Sequence, residues 1–209
     1  MSARIVHQVA SWVLSYPHDD VVQALPGLAT ALREQRRPTE AVRELLAVVE
    51  ALAQVPAEQL RHDYVETFDL TRRHALHLSY WTEGDTRRRG EVLAAFKQVY
   101  RDSGQVVRLD GELPDHLPVV LEFAAVVDPE TGTALLQKYR ASLELLRIEL
   151  EDDASPWAGA GRAVCATLPG ASPRTRTEAM ALAGPVQPVE SVGLEPYDPR
   201  LLPLAEGAR

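Results

Sequence analysis

Apolar residues in this chain return at intervals of three and four, and that spacing suits amphipathic helices far better than strands. Ile5, Val9, Trp12, Val13 and Tyr16 form a first stripe, closed by Pro17. Val21, Val22, Leu25, Leu28 and Leu32 form a second, capped by Asp19 or Asp20. Pro26 lies inside it, so a kink or break is expected, because proline removes a backbone donor and its ring crowds the preceding turn. Pro38 opens a run through Val42, Leu45, Leu46, Val49 and Leu52, and Pro56 opens one through Leu60, Tyr64 and Phe68. A stretch from Arg72 to Trp81 reads as helix ending at Gly84. The next run carries Val92, Leu93, Phe96, Val99 and Tyr100, with Gly104 past its end.

A loop is expected from Gln105 to Leu113, and a helix from Pro114 through PDHLPVVLEFAAVV, terminated by Asp128, Pro129 and Gly132. Thr133 begins a long run through Leu135, Leu136, Tyr139, Leu143, Leu146 and Leu150. A weaker helix from Ser155 carries Trp157, Val164 and Leu168, and Ser172 caps one more reaching Ala183. From Gly184 onward Pro185, Pro188, Pro196, Pro199 and Pro203 interrupt any periodicity, which predicts a mobile tail. The expected architecture is all-α: one helical domain over 1–183 and a weakly ordered segment over 184–209.

The bulk numbers narrow the function. A formal net charge of −8 disfavours general nucleic-acid binding and suits a basic partner. No segment approaches ~18 unbroken apolar residues, so direct membrane insertion is not expected, and the start lacks a secretory signal's apolar block. One cysteine, Cys165, excludes an internal disulfide and a cysteine-rich metal site within one chain, and its apolar setting reads as a buried, inert thiol. A reducing cytoplasm is the expected compartment.

Two patterns bear on chemistry. The doublets His62–Asp63 and Asp115–His116 are of the kind that helical phosphohydrolases use to bind a metal and activate water, which gives an enzyme alternative. Against it, adjacent residues on a helix diverge by roughly 100 degrees. The other pattern is an aromatic and acidic mixture: Tyr64, Phe68, Tyr80 and Trp81 beside Glu66, Asp69 and Asp85. Core packing accounts for Tyr64 and Phe68, yet such a mixture is also what a groove for a basic amphipathic helix needs.

The segment EGDTRRRGE, Glu83 to Glu91, is electrostatically odd. Gly84 reads as a helix end and Asp85 or Thr86 as the next cap, which puts Arg87, Arg88 and Arg89 in a first turn that disfavours cations. Gly90 follows, with a cost of roughly 1 kcal/mol in helix propensity, as if another backbone came close. Downstream, GELPDHLP places Glu112, Pro114, Asp115 and His116 at a loop-to-helix junction. Arg89 is expected to be tied to this segment, within about one screening length of Glu112 or Asp115.

Three blocks, YVETFD (Tyr64 to Asp69), GDTRRRG (Gly84 to Gly90) and ELPDHLP (Glu112 to Pro118), give residues 64–123 a specific resemblance to the NarJ family. These are assembly chaperones of respiratory nitrate reductase, within the TorD-like redox-enzyme maturation proteins. LSYP at Leu14 to Pro17 and the flanking helices agree with it, and the tail after Gly184 has no counterpart. The resemblance implies a cytoplasmic all-α chaperone without catalysis. It would bind the N-terminal peptide of the apo α subunit and hold that subunit for insertion of its molybdenum guanine dinucleotide cofactor and an iron–sulfur cluster. No cofactor would stay on the chaperone itself, and molybdenum cofactor biosynthesis proteins would be further partners. By the same resemblance, Tyr64, Phe68 and Asp69 would line or support the groove, with Tyr80 added from the aromatic set, and Arg87, Arg88, Arg89 and Gly90 would form a rim. Glu112, Pro114, Asp115 and His116 are the contact element, in the wording of NarJ rather than of TorD, so no nucleotide role is carried over.

Overall fold

A computed structural model describes residues 2–83, 87–105, 107, 109 and 111–183 of the chain, and these are all helices and connections, with a single isolated β-bridge. Helix α1 (Ser2–Val13) runs through the core, burying Val6, Val9, Ala10 and Val13. Around it pack α3 (Glu40–Leu52), α7 (Leu117–Glu122) and α10 (Ala158–Cys165), while α2 (Asp19–Arg33) lies on α3. The chain continues as α4 (Ala57–Tyr64), α5 (Tyr80–Glu83), α6 (Arg87–Asp102), α8 (Pro129–Lys138), α9 (Arg140–Asp152) and α11 (Arg176–Ala181). α9 is covered by α10 on one side and α11 on another. The expected tail and the expected caps Gly84, Asp85 and Thr86 lie outside the described residues, as does the Arg87 side chain.

Several boundaries differ from the periodic reading, each for a local reason. α2 runs unbroken through Pro26, and the Thr30 hydroxyl donates to the Pro26 carbonyl at 3.0 Å. The long run from Thr133 is two helices, α8 and α9, parted at Tyr139. Asp128 begins the first of them rather than ending the previous one, its carboxylate accepting from Thr131 N at 3.0 Å. α11 is capped by Thr175, while the Ser172 hydroxyl donates to Glu144 at 2.8 Å instead. α8 can lie flat on the preceding turn because residue 132 is glycine: a Cβ there would sit 2.4 Å from Ala124 Cα.

The two largest departures build the site. Tyr64 is followed by a π-helical turn, Val65–Asp69, closed by Leu70 N donating to Val65 O at 3.0 Å. And Arg72 to Trp81 is not one helix. A 3₁₀ turn (Arg72–His74) gives way to an extended strap that pairs with residues 115–117, before the short α5. α7 accordingly starts at Leu117, with Pro118 in its first turn, because Pro114 and Asp115 form a turn, His116 N donating to Leu113 O at 3.0 Å, and His116 is extended and paired with His77.

Candidate functional site

The site forms where the end of α1, the π turn and the strap converge. The carbonyls at the end of α1 would be left without helical partners, and two aromatic donors take them. Trp157 Nε1 donates to Val13 O at 2.9 Å and the Tyr64 hydroxyl to Leu14 O at 3.0 Å. Arg61 Nε donates to Pro17 O at 3.1 Å and its guanidinium pairs with Asp19. The Tyr16–His18 turn is thereby fixed. Tyr16 meets Tyr64 edge-on at 5.5 Å, Tyr64 meets Phe68 at 4.8 Å, and Phe68 meets Trp157 at 5.3 Å. The extra residue of the π turn brings Phe68 into this cluster and leaves Asp69 outside it, exposed.

The strap is held by Leu78 N donating to Asp115 O at 3.0 Å and Leu117 N donating to Leu76 O at 2.7 Å. Behind it, the fully buried Asp115 carboxylate accepts from Ser79 N at 3.1 Å and from the Ser79 hydroxyl at 2.6 Å. The Tyr100 hydroxyl, delivered by α6, donates to Pro114 O at 2.6 Å. Asp115 and Pro114 therefore shape the wall from behind and do not face the cleft.

In front of that wall opens a cleft of about 910 Å³. Its floor is aromatic and aliphatic, from Tyr16, Tyr64, Phe68, Ala75 and Leu76; its rim is charged in both signs, with Asp69 and Glu112 facing Arg72 and Arg89. Tyr80 lies beneath Arg89, whose Cζ is 5.9 Å from the ring centroid, a cation–π distance. Leu113, on the rim, is 39 % exposed. A second lobe of about 330 Å³ continues past Tyr16, His18, Glu112 and His116 toward α1, α2 and α7.

His116 divides the two lobes. Its ring is 5.3 Å from His77, and its Nδ1 is 3.8 Å from Glu112, too far for a hydrogen bond. Burial, reinforced by repulsion from His77, lowers its pKa to about 3, so the imidazole is neutral at pH 7. Burial, with Asp69 and Glu112 near, raises the Tyr64 phenol and keeps it a hydrogen-bond donor. What this arrangement offers is recognition: a deep apolar floor, charges of both signs around it and a neutral imidazole between the lobes.

Of the residues singled out in the sequence, Tyr64, Phe68, Asp69, Tyr80, Arg89, Glu112 and His116 line the larger lobe. Arg89 thus shares a wall with Glu112. Arg88 turns instead toward Glu83, at 3.5 Å. Gly90 is exposed and a Cβ on it would meet nothing within 4 Å, so the close backbone approach expected there does not occur among the described residues. The pattern reading missed Tyr16, His18, Thr71, Arg72, His77 and Leu113. Tyr16 and His18 were signalled by Pro17, which stands between them in the turn after α1; Arg72 and His77 were hidden by reading the strap as helix.

The metal-hydrolase alternative does not assemble. His62 is exposed and faces Glu66 at 3.3 Å, Asp63 accepts from Gln59 at 2.6 Å, and Asp115 is committed to Ser79. Among the described residues no three histidine, cysteine or carboxylate side chains are placed to hold one ion. Cys165 is buried, and burial with Glu144 nearby raises its thiol well above the ordinary range, as suits an inert core residue.

Residues 23–161 match the nitrate reductase delta subunit family. The nitrate reductase-like protein NarX of Mycobacterium tuberculosis (strain ATCC 25618 / H37Rv) is 41 % identical over 175 residues, covering 78 % of this chain but only 24 % of that much longer protein. A Bacillus subtilis (strain 168) protein named "Probable nitrate reductase molybdenum cofactor assembly chaperone NarJ" is 32 % identical over 157 residues, 74 % of this chain and 83 % of its own. Among solved structures, an Archaeoglobus fulgidus protein named "Putative Redox Enzyme Maturation Protein" shares the fold with a TM-score of 0.60 at 23 % identity, over 78 % of this chain and 92 % of that one. With the family match extending over most of the helical domain, the chain belongs to the nitrate reductase delta subunit family.

Proposed function

We propose that this protein is an assembly chaperone for a respiratory nitrate reductase, and that the cleft between the π turn, the strap and Glu112–His116 receives the N-terminal segment of the apo catalytic α subunit. The chaperone keeps that subunit competent for insertion of its molybdenum cofactor, and of an iron–sulfur cluster, before it docks on its membrane partner. The work is done in the cytoplasm, alongside molybdenum cofactor biosynthesis proteins, and without catalysis by the chaperone. The name of the Bacillus subtilis relative supports the chaperone role. The observation that carries the placement is an aromatic floor within a rim of mixed charge, the surface an amphipathic helix fits: apolar anchors go down, charged residues go to the rim.

Calorimetric titration with a synthetic peptide of that N-terminal segment tests this. The expected affinity is near micromolar, about −8 kcal/mol, which a few buried anchors and one or two charge pairs supply while still allowing release. Leu113→Asp, a substitution on the partly exposed rim, weakens binding at least tenfold and leaves the melting temperature unchanged. An absence of heat, and of competition at high micromolar peptide, overturns the proposal. Phe68→Asp is the poorer variant, because Phe68 also packs on Trp157 at 5.3 Å and its loss disrupts the core.

A further inference from the structure

The second lobe differs from the first in charge and in size. Three carboxylates line it, Asp20 from α2, Glu112 from the loop before α7 and Glu122 from α7 itself, and among its described lining residues there is no lysine or arginine. The larger lobe holds Arg72 and Arg89. No ion pair neutralises Asp20 or Glu122 among the described residues: Asp20 accepts only from the neighbouring Val21 N, at 2.9 Å, and Glu122 is exposed. Among the described residues Glu112 meets His116 at 3.8 Å, and it shares the rim of the larger lobe with Arg72 and Arg89. Three like charges gathered around one concavity repel one another until a cation joins them.

A second observation points the same way. His116 is 8 % exposed, lines this lobe, and its Nδ1 has no hydrogen-bond partner among the described residues. Buried polar atoms are nearly always satisfied, so an orphaned one in a lobe wall marks where a ligand group belongs. A neutral imidazole offers one nitrogen as an acceptor, and a guanidinium is an array of donors that can serve Glu112 and His116 together. Trp12 and Tyr16, both half-buried, give the lobe two aromatic faces of the kind that favour a cation. Size decides what part of a ligand enters. One helical turn with its side chains, about 10 Å across and 5.4 Å tall, sweeps roughly 400 Å³. The lobe, at about 330 Å³, takes a side chain and not a helix.

We propose that the second lobe is a subsite for a single arginine side chain of the client segment, its guanidinium held by Glu112, Glu122, Asp20 and the free nitrogen of His116. This rests on the client reading above for the source of the arginine, but the subsite is a property of the chain itself. It also sets a direction: the apolar anchors of the client occupy the larger lobe, and its arginine reaches past His116 toward α1.

The test has two arms, both on the full chain. In the first, N-acetyl-arginine amide and its uncharged isostere N-acetyl-citrulline amide are titrated while the Trp12 indole and His116 imidazole resonances are followed. The expected result is saturable shifts at both rings, with the arginine probe at least tenfold tighter than the citrulline probe, and that preference lost in Asp20→Asn/Glu122→Gln at unchanged melting temperature. Equal binding of the two probes, no saturable shift at Trp12, or an unchanged preference in the double variant overturns the subsite. Glu122→Gln alone serves if the double variant folds poorly. In the second arm the α-subunit peptide is compared with versions carrying Arg→Gln at each arginine. One arginine is expected to account for a loss of about tenfold, which is absent in Glu122→Gln protein. Peptide that binds equally well without any arginine overturns the subsite and leaves the client reading standing. Peptide that does not bind at all, beside a chain that still prefers the arginine probe, supports the subsite and removes the client reading.

Discussion

Two regions of this molecule are built from the same acidic, basic and histidine side chains, and they treat them in opposite ways. Along α9 the charges are buried and used up. Glu144 is fully enclosed, accepting from Arg147 Nε at 2.7 Å, Arg140 Nε at 3.3 Å and Ser172 at 2.8 Å. The same arginines continue to carbonyls: Arg140 to Gly170 at 2.9 Å and Arg147 to Pro173 at 2.5 Å. Glu149 takes Arg73 at 2.8 Å and also Arg176, so the segment leading into α11 is stitched to the helix beneath it. Around the cleft, among the described residues, Asp69 and Glu122 have no ion-pair partner, Glu112 has only the 3.8 Å approach of His116 as an ion pair, and His116 Nδ1 has no hydrogen-bond partner. A satisfied ionic network fixes a fold, whereas unsatisfied groups of the same chemistry around a concavity keep their hydrogen-bonding capacity for something that arrives.

The largest effect expected from this contrast comes from Glu144→Ala. Arg140 would be left in a buried site without a carboxylate and Arg147 with Glu151 alone, which costs about 3–5 kcal/mol. Denaturant unfolding should show that loss, while Glu112→Ala, at a half-exposed carboxylate, stays within about 0.5 kcal/mol of the parent and loses peptide affinity instead. If Glu144→Ala were as mild as Glu112→Ala, the distinction between the two regions would be gone.

Acid should expose the second difference. His116 has a pKa lowered to about 3 and His7, on the buried face of α1, to about 4, both by burial. In the unfolded chain each takes a proton near pH 6.5, so the unfolded state binds more protons below that pH. The stability they contribute is therefore complete above pH 6.5 and is lost as pH falls toward 3 for His116 and toward 4 for His7. By pH 5 each accounts for about 1–2 kcal/mol. His116→Gln should flatten the fall between pH 6.5 and 5 by that amount, measured by denaturant unfolding at fixed ionic strength. An unchanged slope means that His116 is already accessible to protons in the folded protein.

How much of this was legible beforehand follows from what sets each element. The helices α3, α4 and α10 rest on apolar spacing with proline or small residues at their ends, and periodicity finds them. The strap does not rest on its own pattern. Leu76 and Leu78 are both buried, as in a strand, but the decision lies in bonds to Asp115 and Leu117 nearly forty residues away, which no local window contains. The π turn was equally silent, since Tyr64 and Phe68 are four apart in either kind of helix and only the Leu70–Val65 bond tells them apart. For the lining of the candidate cleft, type and order pointed to Tyr64, Asp69, Glu112 and His116. His77 and Arg72 needed the strap to be seen, and Tyr16 needed the knowledge that Trp157 and Tyr64 end α1.

The smallest effect separates a site residue from a bystander. Gly90 stands in the first turn of α6 beside Arg89, and neither the ionic network nor the cleft wall uses it. A Cβ there meets nothing within 4 Å among the described residues, so alanine introduces no clash with them and removes the conformational freedom that glycine gives the unfolded chain. Gly90→Ala should raise stability by about 0.5–1 kcal/mol, read as a higher denaturation midpoint at unchanged slope. Peptide affinity should stay within about twofold, well under the tenfold that 1.4 kcal/mol represents. A gain in stability joined to a marked loss of affinity would mean that the client backbone passes over Gly90, and the receptive surface would then extend from the cleft onto α6. The open space at that position would be client space, and the glycine would belong with His116 among the groups left waiting for a partner.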